Sequence, residues 1–458
     1  MSDQNNTANL IAGHREKQVE GFSKLTREEK VEWIAQGFLE PGSPAGDLIA
    51  SFLHPDAGVQ RILSGLSENT LCNFPMPYGI APNFLINGAW YAVPMVIEES
   101  SVVAAASSAA KFWSARGGFQ TKVLSTIKLG QVHFSYKGNK ERLFRVQDQL
   151  TAKLREEATA ITANMEQRGG GVLGIDLLDF THLESGYYQL LVRFETCDSM
   201  GANFINSVLE QFGRSLAEFV ETHAAFEDAD REVDVIMAIL SNFTPDCIVR
   251  VEVSCPVEAL QGACEHMDGP AFAEKFRKAV RIAEIDPYRA TTHNKGIFNG
   301  VDAVVLASGN DFRAVEACGH AYAAKDGQYG SLSHCTVENG VFRFWMDLPL
   351  ALGTVGGLTK LHPLAGLTLD ILGNPSASKL MEIIAATGLA QNFAALRSLV
   401  TTGIQKGHMK MHLQNILHHL GATEQEAQAA SAYFNDKVVS FSSVREFLQL
   451  QRIGGIIE

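Results

Sequence analysis

The stretch DPYRATTHNKGIFNGVDAVVLASGNDFRAVEA (286–317) carries the decisive pattern of this chain. Arg289, His293, Asn294, Lys295, Asn299, Asn310 and Asp311 crowd into 23 residues of it, interleaved with glycines and with the apolar run VDAVVLA (301–307), which reads as a strand. Taken singly, Lys295 is a surface lysine, and Asn310 and Asp311 cap the helix expected from Asp311 to Lys325. Taken together, polar side chains at that density on a rigid scaffold form a site.

Outward from this stretch, the pattern predicts a helix from Pro270 to Ile285 and a strand CIVRVEVS (247–254). Further upstream, QVHFSY (131–136) and YQLLVRFET (188–196) alternate as strands do, and Leu150–Gln167 and Ser207–Thr222 carry helical spacing. Strand, helix, strand, helix makes a small α+β unit. Near the start, Thr26 and Glu29 have capping-box spacing for a helix to Leu39. Residues 68–90 are punctuated by Pro, Asn and Gly, with NFLING resembling a strand entering a turn. Glu98-Glu99 then precedes VVAAASSAAKFWSA, a small-residue helix that Gly117-Gly118 stops. The tail from Gly403 reads as helical throughout, with Gly421 separating two helices.

The chain has 458 residues, 38 Lys+Arg against 51 Asp+Glu, and a formal charge of −13. Its length suits two or three units with sizeable cores, and its charge argues against a nucleic-acid or anionic-membrane partner. The seven cysteines are scattered without a CxxC, which suits a reducing cytoplasm better than a disulfide framework. No signal peptide is legible, and no apolar run approaches the roughly 18 residues of a membrane span, Val102–Ala110 being the richest.

A literal GxGxxG at Gly169, Gly171 and Gly174 follows a helical pattern and precedes the strand-like IDLLDF, the reverse of a Rossmann fingerprint. A helix-terminating loop is expected. His408 and His412 share a helix face, but no general-base Glu lies between them, so no metal is expected. Walker A, GxSxG and HExxH sequences are absent.

The stretches ENTLCNFPMPYGIAPNFLINGAWYAVPMVIEESS (68–101), CDSMGANFIN (197–206), 286–317, GGLTKLHPLA (356–365), GLAQNFAALRSL (388–399) and GIQKGHMKMH (403–412) together resemble the 3-hydroxy-3-methylglutaryl-CoA reductases of the soluble bacterial class, class II. The resemblance runs in family order from about residue 17 to the tail. It implies an α/β (α+β) fold: a large discontinuous domain (1–122 and 236–402) binding acyl-CoA, an inserted ferredoxin-like cofactor domain (123–235) and a helical C-terminal flap (403–458). It implies reduction of 3-hydroxy-3-methylglutaryl-CoA to mevalonate and CoA, with two hydride transfers from NAD(P)H. A homodimer or higher homo-oligomer with active sites at the subunit interface is also implied. Another acyl-CoA or aldehyde oxidoreductase, or a silent CoA-binding homologue, is the alternative.

By resemblance, Lys295 would polarise the thioester carbonyl and stabilise its oxyanion, with Asp311 as its carboxylate partner. Glu99 would donate a proton to the aldehyde oxygen, and His408, on a closing flap, would protonate the CoA thiolate. Ser101, Asn242, Arg289 and Asn299 match acyl-binding positions, Arg289 being suited to a bidentate grip on a carboxylate. Gln391 lies where the family contacts CoA, and Lys24 near a basic position for its phosphates. Asp198, Met200, Gly201, Ala202 and Asn203, with Gly169, Gly170 and Gly171, match the dinucleotide site. Family members that prefer NADH carry an acid where this chain has Thr162, so NADPH is the expected cofactor. Cys72 and Ser199 depart from the usual Gly and Ala.

Overall fold

The computed structural model describes residues 18–40, 42–264, 266–401, 413–435 and 437–453. The chain divides into two compact units, Met1–Pro77 with Leu361–Pro363, and Tyr78–Lys360 with Leu364–Glu458. In the first, three helices are described, α1 (Arg27–Phe38), α2 (Ala45–Ser51) and α3 (Ala57–Ser64). The expected capping box starts α1, the Thr26 hydroxyl accepting from Glu29 N while the Glu29 carboxylate accepts from Thr26 N at 2.7 Å.

The second unit opens with the antiparallel hairpin β1 (Tyr78–Ile86) and β2 (Ala89–Val96). Asn87 and Gly88 turn it at φ 48° and 81°, the left-handed pair that matches strand twist, so NFLING does run from strand into turn. Helix α4 (Val102–Ser114) packs on the hairpin and buries Trp113. Next come β3 (Gln120–Val123) and β4 (Lys128–Tyr136), then α5 (Gln147–Glu166), β5 (Gly171–Asp179), β6 (Tyr187–Glu195), α6 (Ala202–Thr222) and β7 (Val233–Leu240). Strands β5-β6-β4-β7 form an antiparallel sheet in that order, with α5 and α6 packed on it. Element order β-α-β-β-α-β with that pairing is the ferredoxin-like arrangement. Its apolar residues, Phe134, Leu154, Val192 and Phe212 among them, form a cluster of their own.

A second antiparallel sheet, β3-β8-β10-β9, is completed by β8 (Ile248–Pro256), β9 (Ser333–Glu338) and β10 (Val341–Pro349). Around it lie α7 (Gly269–Ile285), α8 (Pro287–Ala307), α9 (Phe312–Ala323) and α10 (Ala377–Val400). Mixed helix and sheet is thus the observed class, as expected.

One expected element is corrected. VDAVVLA is not a strand but the last two turns of α8, a 21-residue helix that starts at the Asp286 cap with Pro287 in its first turn. A short buried run of Val, Ala and Leu suits either structure, and periodicity cannot separate them. Here burial decides: Val301, Ala303, Val304 and Val305 are fully enclosed. The glycines mistaken for punctuation serve packing. A Cβ on Gly300 would stand 2.8 Å from the Thr387 carbonyl of α10, and one on Gly388 would stand 2.7 Å from Val301 Cγ2.

Two other expectations are revised. Helix α10 has the length and composition of a membrane span, with mean hydropathy 1.3, but 78% of that window is buried. It is longer than Val102–Ala110, and it is a core helix. The tail is helical at 413–419, Glu424–Tyr433 and Phe441–Arg452, but it breaks at Gly421 and again before Ser440. Thr423 with Glu426 and Ser440 with Ser443 restart each helix through capping boxes.

Alanine at Gly300 tests the α8–α10 crossing. Helix propensity favours alanine by up to about 1 kcal/mol, while overpacking against an immobile carbonyl costs about 1–3 kcal/mol. Urea unfolding should therefore show Gly300→Ala to be less stable than the wild type, against the propensity scale.

Candidate active site

Two clefts hold most of the candidate residues. The first, of about 330 Å³, is lined by Glu99, Ser101 and Val102 before and at the start of α4, by Arg289, His293, Lys295 and Asn299 of α8, and by Gln391 and Asn392 of α10. Residues 295 and 299 stand one turn apart, on one face of α8. Both reach the same acceptor: Lys295 Nζ lies 2.6 Å from Glu99 Oε2, and Asn299 Nδ2 donates to that oxygen at 3.3 Å. The pair is partly open to solvent, so its worth lies in orientation more than stability.

Ser101 caps α4 at φ 73°, a left-handed conformation that non-glycine residues seldom adopt, and its side chain makes no cap bond. Strain of this kind collects at functional sites. Arg289 is half-buried, and burial pulls its pKa below the ordinary arginine value. Among the described residues, no carboxylate pairs with it. A guanidinium in that position is ready for an anion.

The second cleft, of about 520 Å³, is lined by Ser199–Phe204, Gly309–Asp311, Gly353 and Val355–Thr359. Gly201 begins α6 at φ 89° and places no side chain over the helix N-terminus. Backbone N–H groups there are free for an anion. Asp198 ties the loop down: its Oδ1 accepts from Ala377 N at 2.7 Å, and its carbonyl accepts from Thr354 N at 2.9 Å.

Asp311 belongs to this second cleft and not to the first. Its carboxylate accepts from Arg313 N at 3.0 Å and Ala314 N at 3.2 Å, capping α9, and pairs with the Arg313 guanidinium. The expected Lys295–Asp311 pair is absent within the chain, and Glu99 takes that place. The continuous α8 explains why: twelve residues from Lys295 to Ala307, at 1.5 Å each, put about 18 Å of helix between the two ends.

Other candidates lie apart. Asn242 lines a cavity of about 20 Å³ with Lys128, Met200 and Cys318. Thr162 is buried on α5 beside a cleft of about 240 Å³ that also meets Arg155, Thr159 and Glu166. Gly169, Gly170 and Gly171 follow α5 and lead into β5, which excludes a Rossmann turn as expected. Lys24 belongs to the first compact unit. His408 and His412 fall outside the described residues.

Sequence reading missed Lys128. It sits at the start of β4, three residues before the alternation becomes legible, and is only 4% exposed. Its ammonium donates to Thr196 Oγ1 and, at 2.7 Å, to the Ser199 carbonyl. Burial lowers its pKa, while the charges of Glu195 and Asp198 oppose that shift. Glu195 in turn accepts from Cys197 N at 2.7 Å and from the Thr126 hydroxyl. Lys128 therefore clamps the loop that carries Asp198 and Met200 from beneath.

A cleft that offers cations to an acyl anion, and another that offers helix N–H groups to a phosphate, are what a nucleotide-dependent enzyme of acyl groups requires. Residues 28–413 match the family model described as hydroxymethylglutaryl-coenzyme A reductase. The chain is 34% identical over 439 residues to the 3-hydroxy-3-methylglutaryl-coenzyme A reductase of Archaeoglobus fulgidus, covering 95% of this chain and 94% of that one. It is 33% identical to the probable reductase of Borreliella burgdorferi, covering 79% of each. The class II reductase of Streptococcus pneumoniae, solved with NADPH bound, superposes with TM-score 0.67 at 37% identity, over 83% of this chain and 99% of that one. The chain belongs to the hydroxymethylglutaryl-coenzyme A reductase family, oxidoreductases of the mevalonate pathway.

Lys128→Met takes the ammonium donor from the Thr196 hydroxyl and from the Ser199 carbonyl, which keeps only the Thr196 hydroxyl, a loss of about 1–3 kcal/mol. Amide exchange across residues 196–201 should quicken by about tenfold or more, while exchange in α10 stays at the wild-type rate.

Proposed function

We propose that the chain reduces 3-hydroxy-3-methylglutaryl-CoA to mevalonate and CoA with NADPH, in a homodimer whose active sites lie between subunits. The observation that carries this reading is the Lys295–Glu99–Asn299 cluster in one cleft with Arg289, which no carboxylate among the described residues pairs. Arg289 grips the terminal carboxylate of the acyl group, and Ser101 and Asn299 hold its neighbourhood. Lys295 points its ammonium at the thioester oxygen and stabilises the negative charge that develops there. Glu99, hydrogen-bonded to that ammonium, passes a proton to the aldehyde oxygen in the second reduction. Gln391 contacts the CoA arm, and Lys24 meets its phosphates. His408, carried by the C-terminal flap, protonates the departing thiolate.

The dinucleotide belongs in the second cleft, held by Asp198, Met200, Gly201, Ala202 and Asn203, with the loop Gly169–Gly171 near its ribose. Supporting this are the uncovered N-terminus of α6 and the glycine at 353, where a Cβ would stand 2.4 Å from Met200 N. When bound, the cofactor supplies the hydride equivalents. Asp311 and Asn242 line the side of the molecule that carries this loop. An interface that brings the second cleft of one subunit to the first cleft of its partner would let Asp311 meet Lys295 across the dimer. Thr162 in place of an acid leaves a 2′-phosphate unopposed, which favours NADPH over NADH. Seven scattered, unpaired cysteines suit a reducing cytoplasm, where we place the protein.

Two measurements test this. Lys295→Ala should abolish turnover of 3-hydroxy-3-methylglutaryl-CoA with the fold intact by circular dichroism; an active variant, or a wild type that turns over only simple acyl-CoAs, refutes the mechanism. Comparing kcat/KM for the two cofactors should favour NADPH, and a strong NADH preference would refute the argument from Thr162.

A further inference from the structure

Two buried side-chain atoms of residues that line the first cleft, His293 Nδ1 and Gln391 Oε1, have no hydrogen-bond partner among the described residues. His293 is 2% exposed, so water outside the cleft does not satisfy it. Its tautomer follows from its neighbours. His293 Nε2 lies 2.6 Å from Ser333 Oγ, and that hydroxyl donates to Asn392 Oδ1 at 2.7 Å. A hydroxyl has one proton to give, and Ser333 gives it to Asn392, so Nε2 must be the donor to Ser333. Nδ1 is left as a bare lone pair. Burial and the nearby Arg289 push the pKa of His293 down to about 3, so the ring stays neutral in any working buffer.

The neighbouring Asn294 is fully used in structure and offers nothing to a ligand. Its amide donates to the Tyr329 hydroxyl at 3.0 Å and the Gly330 carbonyl at 2.9 Å, and its oxygen accepts from Leu332 N at 3.0 Å. These bonds fix the chain segment that presents Ser333, and through it His293.

The acyl group has three polar ends with different needs. Its carboxylate and thioester oxygen accept, and Arg289 and Lys295 can only donate. Its tertiary hydroxyl must donate its proton, and the Glu99 oxygen nearest the cluster already takes two donors. His293 stands one helical turn from Arg289, on the same face of α8 and beside the carboxylate's anchor. Gln391 Oε1 is left for an amide N–H of the pantetheine arm.

We propose that His293 is the recognition residue for the substrate's tertiary hydroxyl, which donates to its Nδ1 in the first cleft. The inference rests on reading that cleft as the acyl-CoA site. It makes hydroxyl recognition a property of a fixed neutral imidazole, separate from the charged residues of the reaction.

The test is calorimetric titration of the full chain with 3-hydroxy-3-methylglutaryl-CoA and with 3-methylglutaryl-CoA, which lacks only the hydroxyl. Wild type should bind the hydroxylated ligand about tenfold or more tightly than the other, since a buried acceptor left unpaired is penalised. In His293→Phe that ratio should collapse to about one, and His293→Gln, which retains a donor and an acceptor, should restore part of it. A structural role alone weakens both ligands together and leaves the ratio unchanged; that result, or a wild-type ratio near one, overturns the proposal. Should His293→Phe fail to fold, Asn392→Leu serves instead: it frees Ser333 to donate to Nε2 and puts the proton on Nδ1, and a wild-type ratio kept in that variant would overturn the proposal equally. A wild type that binds neither compound refutes the acyl-CoA reading itself.

Discussion

The close crossing of α8 and α10 is the constraint on which the first cleft depends. Gly300 and Gly388 let the two backbones approach to a distance at which any side chain would collide. That approach sets α8, with Arg289, His293, Lys295 and Asn299, against α10, with Gln391 and Asn392, so one cleft is lined from both. Packing also rigidifies the donors and acceptors, because interiors this dense deform little. Preorganisation of a cation toward a developing oxyanion needs such a frame, since a mobile lysine would spend its charge on solvent.

Most elements were legible in the sequence because their patterns are local. The Thr26–Glu29 box, the Asn87-Gly88 turn and the alternation of β4 and β6 each announce themselves within a few residues. The last two turns of α8 were not, since Val301–Ala307 is mostly buried and nearly all apolar, and so short a run suits either period. The expected Lys295–Asp311 pair rested on resemblance alone; the continuous helix keeps its two ends apart, and Glu99 is the partner within the chain.

Chemistry residues were legible where motifs carried them and hidden where burial alone made them unusual. Lys295, Glu99 and Asn299 were picked out by resemblance and do meet. Lys128 has no motif, and a lysine at the head of a strand reads as a solvated charge until burial and three-dimensional partners are known. His293 was visible as one polar residue among many, but its bare nitrogen appears only when Ser333 and Asn392, forty and more residues on, are placed beside it.

The overall charge of −13 opposes the approach of polyanions such as CoA and NADPH. The protein answers with local and unequal compensation. Lys128 is deeply buried and held by two loop acceptors, so its charge is consumed in holding structure. Lys295 shares its charge with Glu99, so it stays oriented while exposed to a ligand. Arg289 has no carboxylate beside it among the described residues and is half desolvated, which costs it solvation. A ligand carboxylate relieves that cost on binding, so the least compensated cation gains the most from the ligand. The same logic extends to the acceptor at His293. A cleft that, among the described residues, leaves one cation and two acceptors unpaired discriminates among ligands by which of those groups each can satisfy, and net charge has no part in that choice.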